Sequence, residues 1–266
     1  MIRFWADLTS SELAALRGAD AIAILPVAAI EQHGPHLPLG TDLAIAQGYI
    51  ERIAPRLPAR PVLFLPVQAV GASAEHLSFP GTLSLSPETA LAVWGDLCGQ
   101  VQAAGVRRLI LFNTHGGNVP VIDLLARRLR ARHAMLAVTA SMHRFGYPDG
   151  LFSAQERAHG IHGGDIETSL MLAFRPDLVR MDLARDFVPF SRDMEDRFAE
   201  LRANHPVGFG WMSEDLHPSG AMGNARAASA EKGEAAIAHG VSAFLALLED
   251  VARFDLDAFR PAPLES

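Results

Sequence analysis

Residues 21–42 read Ala-Ile-Ala-Ile-Leu-Pro-Val-Ala-Ala-Ile-Glu-Gln-His-Gly-Pro-His-Leu-Pro-Leu-Gly-Thr-Asp. The first seven are an unbroken apolar run, the length of a strand buried on both faces. Polar, Gly/Pro-rich chain follows from Glu31 to Gly40. A helix is then expected from about Asp42 to Ile53, with Thr41 as its cap and Pro55 as its stop. Strand, loop and helix in that order form one unit of an α/β fold.

The unit recurs downstream. Residues 62–65, 108–112 and 135–140 are further apolar runs. Ser86-Pro87-Glu88 places a cap, a first-turn proline and a first-turn acid in sequence, so a helix starts there and Gly105 ends it. Further helices are expected over residues 120–132, 165–174 (stopping ahead of Arg175-Pro176) and 229–253. Residues 71–86 and 204–224 read as loops, and a long Gly/Pro-rich loop is often functional. Continuously apolar strands alternating with helices belong to a mostly parallel sheet covered on both faces. The expectation is an α/β protein, a three-layer α/β/α sandwich with a mostly parallel central sheet, in one domain spanning residues 1–266. In such sheets ligands bind at loops beyond the carboxyl ends of the strands.

Composition narrows the function. The chain has 266 residues, 49% hydrophobic and 20% charged, which supplies a sizeable core and argues against disorder. The net charge of −7, without a basic stripe, makes nucleic acid an unsuitable partner. Arg127, Arg128, Arg130 and Arg132 are spaced as the solvated end of a helix. No apolar leader and no uncharged apolar segment of about 18 residues is found, so neither export nor a membrane partner is expected. The single cysteine, Cys98, excludes an internal disulfide and reads as a buried thiol. A cytoplasmic location follows as an expectation.

The chemistry sits in three loops. In extended chain, residues two apart project to one side, so Glu31 and His33 point together. Asp42 follows a Gly/Pro turn at the start of a helix, where one carboxylate can bridge two cations. His115 lies past the strand of residues 108–112. His162-Gly163-Gly164-Asp165-Ile166-Glu167 stands just before another helix. Ligand sets rich in oxygen and nitrogen and free of thiolate suit Zn²⁺, Mn²⁺ or Fe²⁺ in a hydrolytic site. Two such ions about 3.5–4 Å apart can share a hydroxide and polarise a carbonyl. Each residue also has a plainer reading. Glu31 or Asp42 can be a cap or a solvated acid, His115 a turn residue, Asp165 a helix cap, Glu167 a first-turn acid, and His36 and His76 supporting or packing residues.

The string Glu31-Gln32-His33-Gly34-Pro35-His36-Leu37-Pro38 followed by Thr41-Asp42 resembles the signature of the creatininase family. His76-Leu77-Ser78-Phe79-Pro80-Gly81-Thr82, Asn113-Thr114-His115-Gly116-Gly117-Asn118, residues 162–169 (HGGDIETS) and Glu231-Lys232-Gly233 are similar to its later motifs. The resemblance implies an α/β/α fold, homo-oligomeric assembly (often hexameric) and two divalent metal ions. It assigns Glu31, Asp42 and His115 to one ion, and His33 with bridging Asp42 to the other. It further implies an amidohydrolase in which a hydroxide bridging the metals attacks an amide carbonyl of a small molecule. His162 would pass a proton to the leaving nitrogen, and Asp165 would orient it. Creatininase carries a glutamate ligand where this chain has Gly117, and Glu167 is the expected replacement, as metal ligand or general base. Creatininase also packs tryptophan near its substrate, whereas this chain has none between Trp94 and Trp211. The expected substrate is therefore a cyclic amide, formamide or similar small molecule. A peptide-trimming enzyme of the mycofactocin-maturation type and a non-catalytic metal-binding assembly protein are the alternatives. The loop around Trp211 and His217 is expected to cover the substrate.

Overall fold

The computed structural model describes residues 3–259; the remaining ends of the 1–266 span, including the first two residues of the N-terminal reading, lie outside the described residues. In chain order the helices are α1 (Ser10–Ala15), α2 (Thr41–Ile53), α3 (Pro87–Ala103), α4 (Val119–His133), α5 (Ala154–His159), α6 (Asp165–Phe174), α7 (Phe190–Arg197), α8 (Ser213–Leu216) and α9 (Ala230–Arg253). The strands are β1 (Ile22–Val27), β2 (Val62–Phe64), β3 (Arg108–Asn113), β4 (Leu136–Ser141), β5 (Asp186–Phe187) and β6 (Gly223–Asn224).

β1 to β4 form a parallel sheet in the order β2-β1-β3-β4. Ile22 pairs with Val62 on one side and with Arg108 on the other, and the β1–β3 register runs on to Val27 opposite Asn113. The strand residues alternate between two apolar layers. Ile22, Ile24, Phe64, Ile110 and Phe112 face α2, α6 and α9, while Ala23, Leu25, Leu109 and Leu111 face α3 and α4. Both faces are covered, which is why the strands read as unbroken apolar runs. The expected three-layer α/β/α architecture is what the chain adopts. Helix α9 has the length and composition of a membrane span. Its apolar stripe, Ile237, Val241, Phe244 and Leu248, is buried in the core instead.

The strand order places the site. From β1 the chain crosses by α2 to β2 on one side; from β2 it crosses by α3 to β3 on the other side of β1. The loops leaving β1 and β3 therefore diverge to opposite faces and leave a crevice beyond their carboxyl ends, the switch point where open α/β sheets bind ligands. The N-terminal segment covers the outer edge of β2, where Phe64 N–H donates to the Arg3 carbonyl at 2.8 Å.

Two local expectations need correction. Thr41 does not cap α2: Gly40 holds the cap position, and the Thr41 hydroxyl turns back to the Pro38 carbonyl at 2.7 Å. The segment over residues 204–224 is not a plain loop. It contains α8 and β6, and β6 pairs antiparallel with β5. Met194, Ala203, Leu216 and Met222 close a small apolar cluster there, with Trp211 packed against it.

Candidate metal centre

Loops beyond β1, β3 and β4 converge. Glu31, His33 and Asp42 come from the β1–α2 connection, His115 from the turn after β3, and His162 and Glu167 from the start of α6. Glu31, His33, Asp42, His115 and His162 are all buried. Glu31 Oε1 lies 3.2 Å from His115 Nδ1. Asp42 Oδ2 lies 3.5 Å from His115 Nδ1 and 3.8 Å from His33 Nε2, so it stands between the two rings. Glu167 Oε2 is 4.0 Å from His33 Nε2. Two groups of three can each hold a cation: Glu31, Asp42 and His115, and beside them His33, His162 and Glu167. The structure thus brings together every residue expected as a ligand.

The backbone sets which ring nitrogen faces inward. A carbonyl can only accept, so a ring nitrogen against one carries hydrogen. His33 Nδ1 donates to the Glu31 carbonyl at 3.0 Å, His115 Nε2 to the Ala72 carbonyl at 2.9 Å, and His162 Nε2 to the Gln32 carbonyl at 2.5 Å. That leaves His33 Nε2, His115 Nδ1 and His162 Nδ1 turned to the acids. Carbonyl-anchored imidazoles of this kind are the usual way a protein aims a metal ligand.

Electrostatics describe a site short of positive charge. Burial pushes both ring pKa values down, but Asp42, Glu167 and Glu31 overcome it at His33 and raise it to about 9. At His115 burial is overcome by Glu31, Asp42 and Glu75, and the value rises to about 10. Burial raises Asp42 to about 6 against the pull of His33. At Glu31 the penalty of burial is outweighed by His115, His162 and His76, and its pKa falls well below the carboxylate range. Without a cation the acids are balanced by protons on His33 and His115. Both Glu31 oxygens, His33 Nε2 and Asp42 Oδ2 are buried without a hydrogen-bond partner. Orphaned buried polar atoms are costly and scarce in native proteins. A divalent cation satisfies them, and the oxygen–nitrogen donor set suits Zn²⁺, Mn²⁺ or Fe²⁺.

Gly117 explains the missing glutamate. A Cβ there would stand 2.4 Å from the Ala72 carbonyl oxygen and 2.4 Å from Glu75 Oε1. No side chain fits while the Glu75 loop lies against it. Glu167 enters the second pocket instead, anchored by the Gly163 N–H at 2.5 Å.

Asp165 is placed elsewhere. Its carboxylate accepts from Lys232 Nζ at 2.6 Å and from Ser169 Oγ at 3.0 Å, which ties α6 to α9. The expected orientation of His162 by Asp165 is corrected: the Gln32 carbonyl does it. His36 donates or accepts at Thr168 Oγ1 across 2.9 Å and stacks on Phe187, outside the cation pockets. Trp211 gives its indole N–H to the Ala203 carbonyl, and His217 packs edge-on against Phe187. The part of that segment that reaches the site is residues 220–222: Gly220 accepts from Gln32, and Met222 N–H donates to the His162 carbonyl at 2.6 Å. Sequence reasoning also missed Glu156, which is buried and accepts from Asn224 N–H and Ile166 N–H, bracing the loop that carries His162. It sits in a six-residue helix with no pattern to expose it. His76, quoted in the second motif with its role open, reaches the site, its Nε2 3.3 Å from Glu31 Oε1.

A parallel α/β/α sheet with buried acids and imidazoles gathered at its switch point is an arrangement that could hold metal ions. Comparison with known proteins gives the family. Residues 6–248 match the model of the creatininase family, described as creatinine amidohydrolase. The creatinine amidohydrolase of Pseudomonas putida is 32% identical over 252 residues, 87% of this chain and 90% of that protein. The mycofactocin precursor peptide peptidase of Mycobacterium ulcerans (strain Agy99) is 36% identical over 165 residues, 60% of each chain. A solved structure described as creatininase Mn superposes with a TM-score of 0.72 at 27% identity, covering 96% of this chain and 100% of that one. The chain belongs to the creatininase family of hydrolases.

Proposed function

We propose that this protein is a binuclear metal-dependent amidohydrolase that cleaves a C–N amide bond in a small molecule. The observation that carries the reading is the set of unpartnered buried atoms on Glu31, His33 and Asp42, gathered at the switch point of the sheet. Glu31, Asp42 and His115 would hold one cation, and His33, Asp42 and Glu167 the other. Such ions, when bound, lower the pKa of a water and polarise the attacked carbonyl. The chain supplies the proton path. Burial is the main cause that holds the His162 ring neutral, lowering its pKa to about 4 in the cation-free fold. With Nε2–H fixed on the Gln32 carbonyl, Nδ1 is free to take a proton from the attacking water. It then returns that proton to the leaving nitrogen, which departs poorly without one. The side chains of Glu75 and Glu167 are 21% and 24% exposed while those of Glu31 and Asp42 are sealed, so substrate enters past these two acids.

Creatinine itself is disfavoured by Gly117 and by the lack of tryptophan between Trp94 and Trp211. Cyclic amides and formamides are the favoured substrates. A peptide-trimming activity is the second reading, supported by the identity to the mycofactocin precursor peptide peptidase. Homo-oligomeric assembly belongs to the same proposal. The test is a hydrolysis screen of cyclic amides, formamides and short peptides with protein reconstituted with Mn²⁺, Zn²⁺ or Fe²⁺. One class should be turned over, and His162→Asn should abolish turnover while retaining metal. An inert protein that still binds two cations would refute the enzymatic reading in favour of an assembly role.

A further inference from the structure

The Glu31 carboxylate meets a third imidazole, His76, whose Nε2 is 3.3 Å from Glu31 Oε1. Glu31, His76 and His162 have the spacing of another cation pocket. The hydrogen bonds behind His76 argue otherwise. The Gly34 N–H donates to Gln32 Oε1 at 2.8 Å. The Gln32 amide nitrogen donates to the Gly220 carbonyl at 3.0 Å. One backbone donor and one backbone acceptor therefore fix the amide in a single orientation, because the flipped amide would set oxygen against oxygen and N–H against N–H. The remaining Gln32 N–H points at His76 Nδ1, 2.7 Å away. That nitrogen must accept, so the ring hydrogen is on Nε2, the atom that faces Glu31.

His76 thus differs from its neighbours. His33, His115 and His162 are anchored through N–H to carbonyl, so in the neutral ring each turns a lone pair inward for a cation; His76 is anchored through a lone pair, so its neutral ring turns a hydrogen inward. A nitrogen that carries hydrogen cannot coordinate a cation. The close fit of Gly220 keeps the arrangement in place. Its φ is +75°, and a Cβ there would stand 2.4 Å from Gln32 Oε1.

Resting on the metal-site reading above, we propose that Gln32 and His76 form a positioning pair. Gln32 holds His76 in the Nε2–H form, so that this N–H faces Glu31 Oε1 across 3.3 Å, not aligned as a hydrogen bond, and its dipole steers that oxygen rather than binding a cation. The Gly220 segment, braced on the same amide, couples the 217–224 strap to the aim of Glu31.

The experiment loads full-length protein, labelled with ¹⁵N-histidine, with ¹¹³Cd²⁺ alone and reads nitrogen–cadmium couplings and ring tautomers by magic-angle-spinning NMR. Couplings are expected at His33 and His115, with His76 uncoupled and in the Nε2–H form. A coupling at His76, or an Nδ1–H tautomer, would overturn the proposal. No coupling at any histidine would instead overturn the metal reading beneath it. A second arm measures Cd²⁺ affinity with folding checked by circular dichroism. His76→Leu should weaken binding about 10- to 100-fold, the usual cost of losing a polar partner behind a ligand. His76→Gln, which restores an N–H near the same point, should recover most of it. Equal losses in the two variants would overturn the steering role of the His76 N–H.

Discussion

Asp42→Asn is the perturbation that bears most directly on the centre. Asp42 Oδ2 lies 3.5 Å from His115 Nδ1 and 3.8 Å from His33 Nε2, so one atom stands between the rings of the two candidate pockets, and the proposed function has it bridge them. Asparagine is nearly the same shape and keeps its place in the first turn of α2. The Asp42 backbone carbonyl, which accepts from Thr114 Oγ1 at 2.9 Å, is untouched. The change therefore removes a charge and little else. Removing one partner of a buried ionic contact costs about 3–5 kcal/mol. At about 1.4 kcal/mol per decade, cation affinity should fall roughly 100- to 4,000-fold. Both sites should suffer together, because the lost oxygen is common to them. The assay is elemental analysis of purified protein equilibrated against a series of metal buffers, with melts run on the same samples. Two cations bound with parental affinity would refute the bridging role. Loss of one cation alone would show that Asp42 serves a single pocket.

Three further outcomes follow from the same geometry. His33 at about 9 and His115 at about 10 in the metal-free fold stand above the ordinary histidine value of 6.5, so the folded state holds these protons more tightly than the unfolded chain. Their contribution is full below pH 6.5 and is lost as pH rises through 9 and 10; chelator-treated protein should show Tm falling across that window, and a flat profile would contradict the assignment. Gly117→Ala forces a Cβ against the Ala72 carbonyl and Glu75, so stability should drop by about 1–3 kcal/mol, and Gly117→Glu should not restore a ligand; an unchanged denaturant midpoint would count against the packing argument. Asp165→Asn should lower stability by about 1–3 kcal/mol through its lost bonds to Lys232 and Ser169 while metal content stays at the parental level; loss of metal would return Asp165 to the centre.

Much of this could be read from the chain alone, for identifiable reasons. The apolar runs ending near Val27 and Asn113 are local, and their continuity reports burial on both faces without knowledge of the partners. Helix α6 was legible to its boundaries because Pro176 and the acids of its first turn are local signals. The candidate ligands Glu31, His33, Asp42 and His115 could be singled out because they sit in turns where Gly and Pro interrupt the apolar pattern. By contrast, Asp165 stands two residues from Glu167, and no local rule separates the carboxylate that faces His33 from the one that faces Lys232. The direction each takes is set by where α9 packs across α6. The packing of Trp211 was hidden for the same reason: its surroundings, Ala203 and Met194 among them, lie in an excursion whose small core has no periodic signature.

What the sequence determined by itself is the alternation of strand and helix, and the kinds of side chain offered at the ends of the strands. These depend on neighbours within a few residues. Tertiary structure alone decided the order β2-β1-β3-β4, which opens the crevice. It also decided which imidazole nitrogen looks inward, because that is settled by contacts from distant segments: Ala72 for His115, Gln32 for His162 and, through Gly220, for His76. A ring's tautomer follows the hydrogen-bond partner behind it, and that partner is chosen by packing rather than by adjacency along the chain.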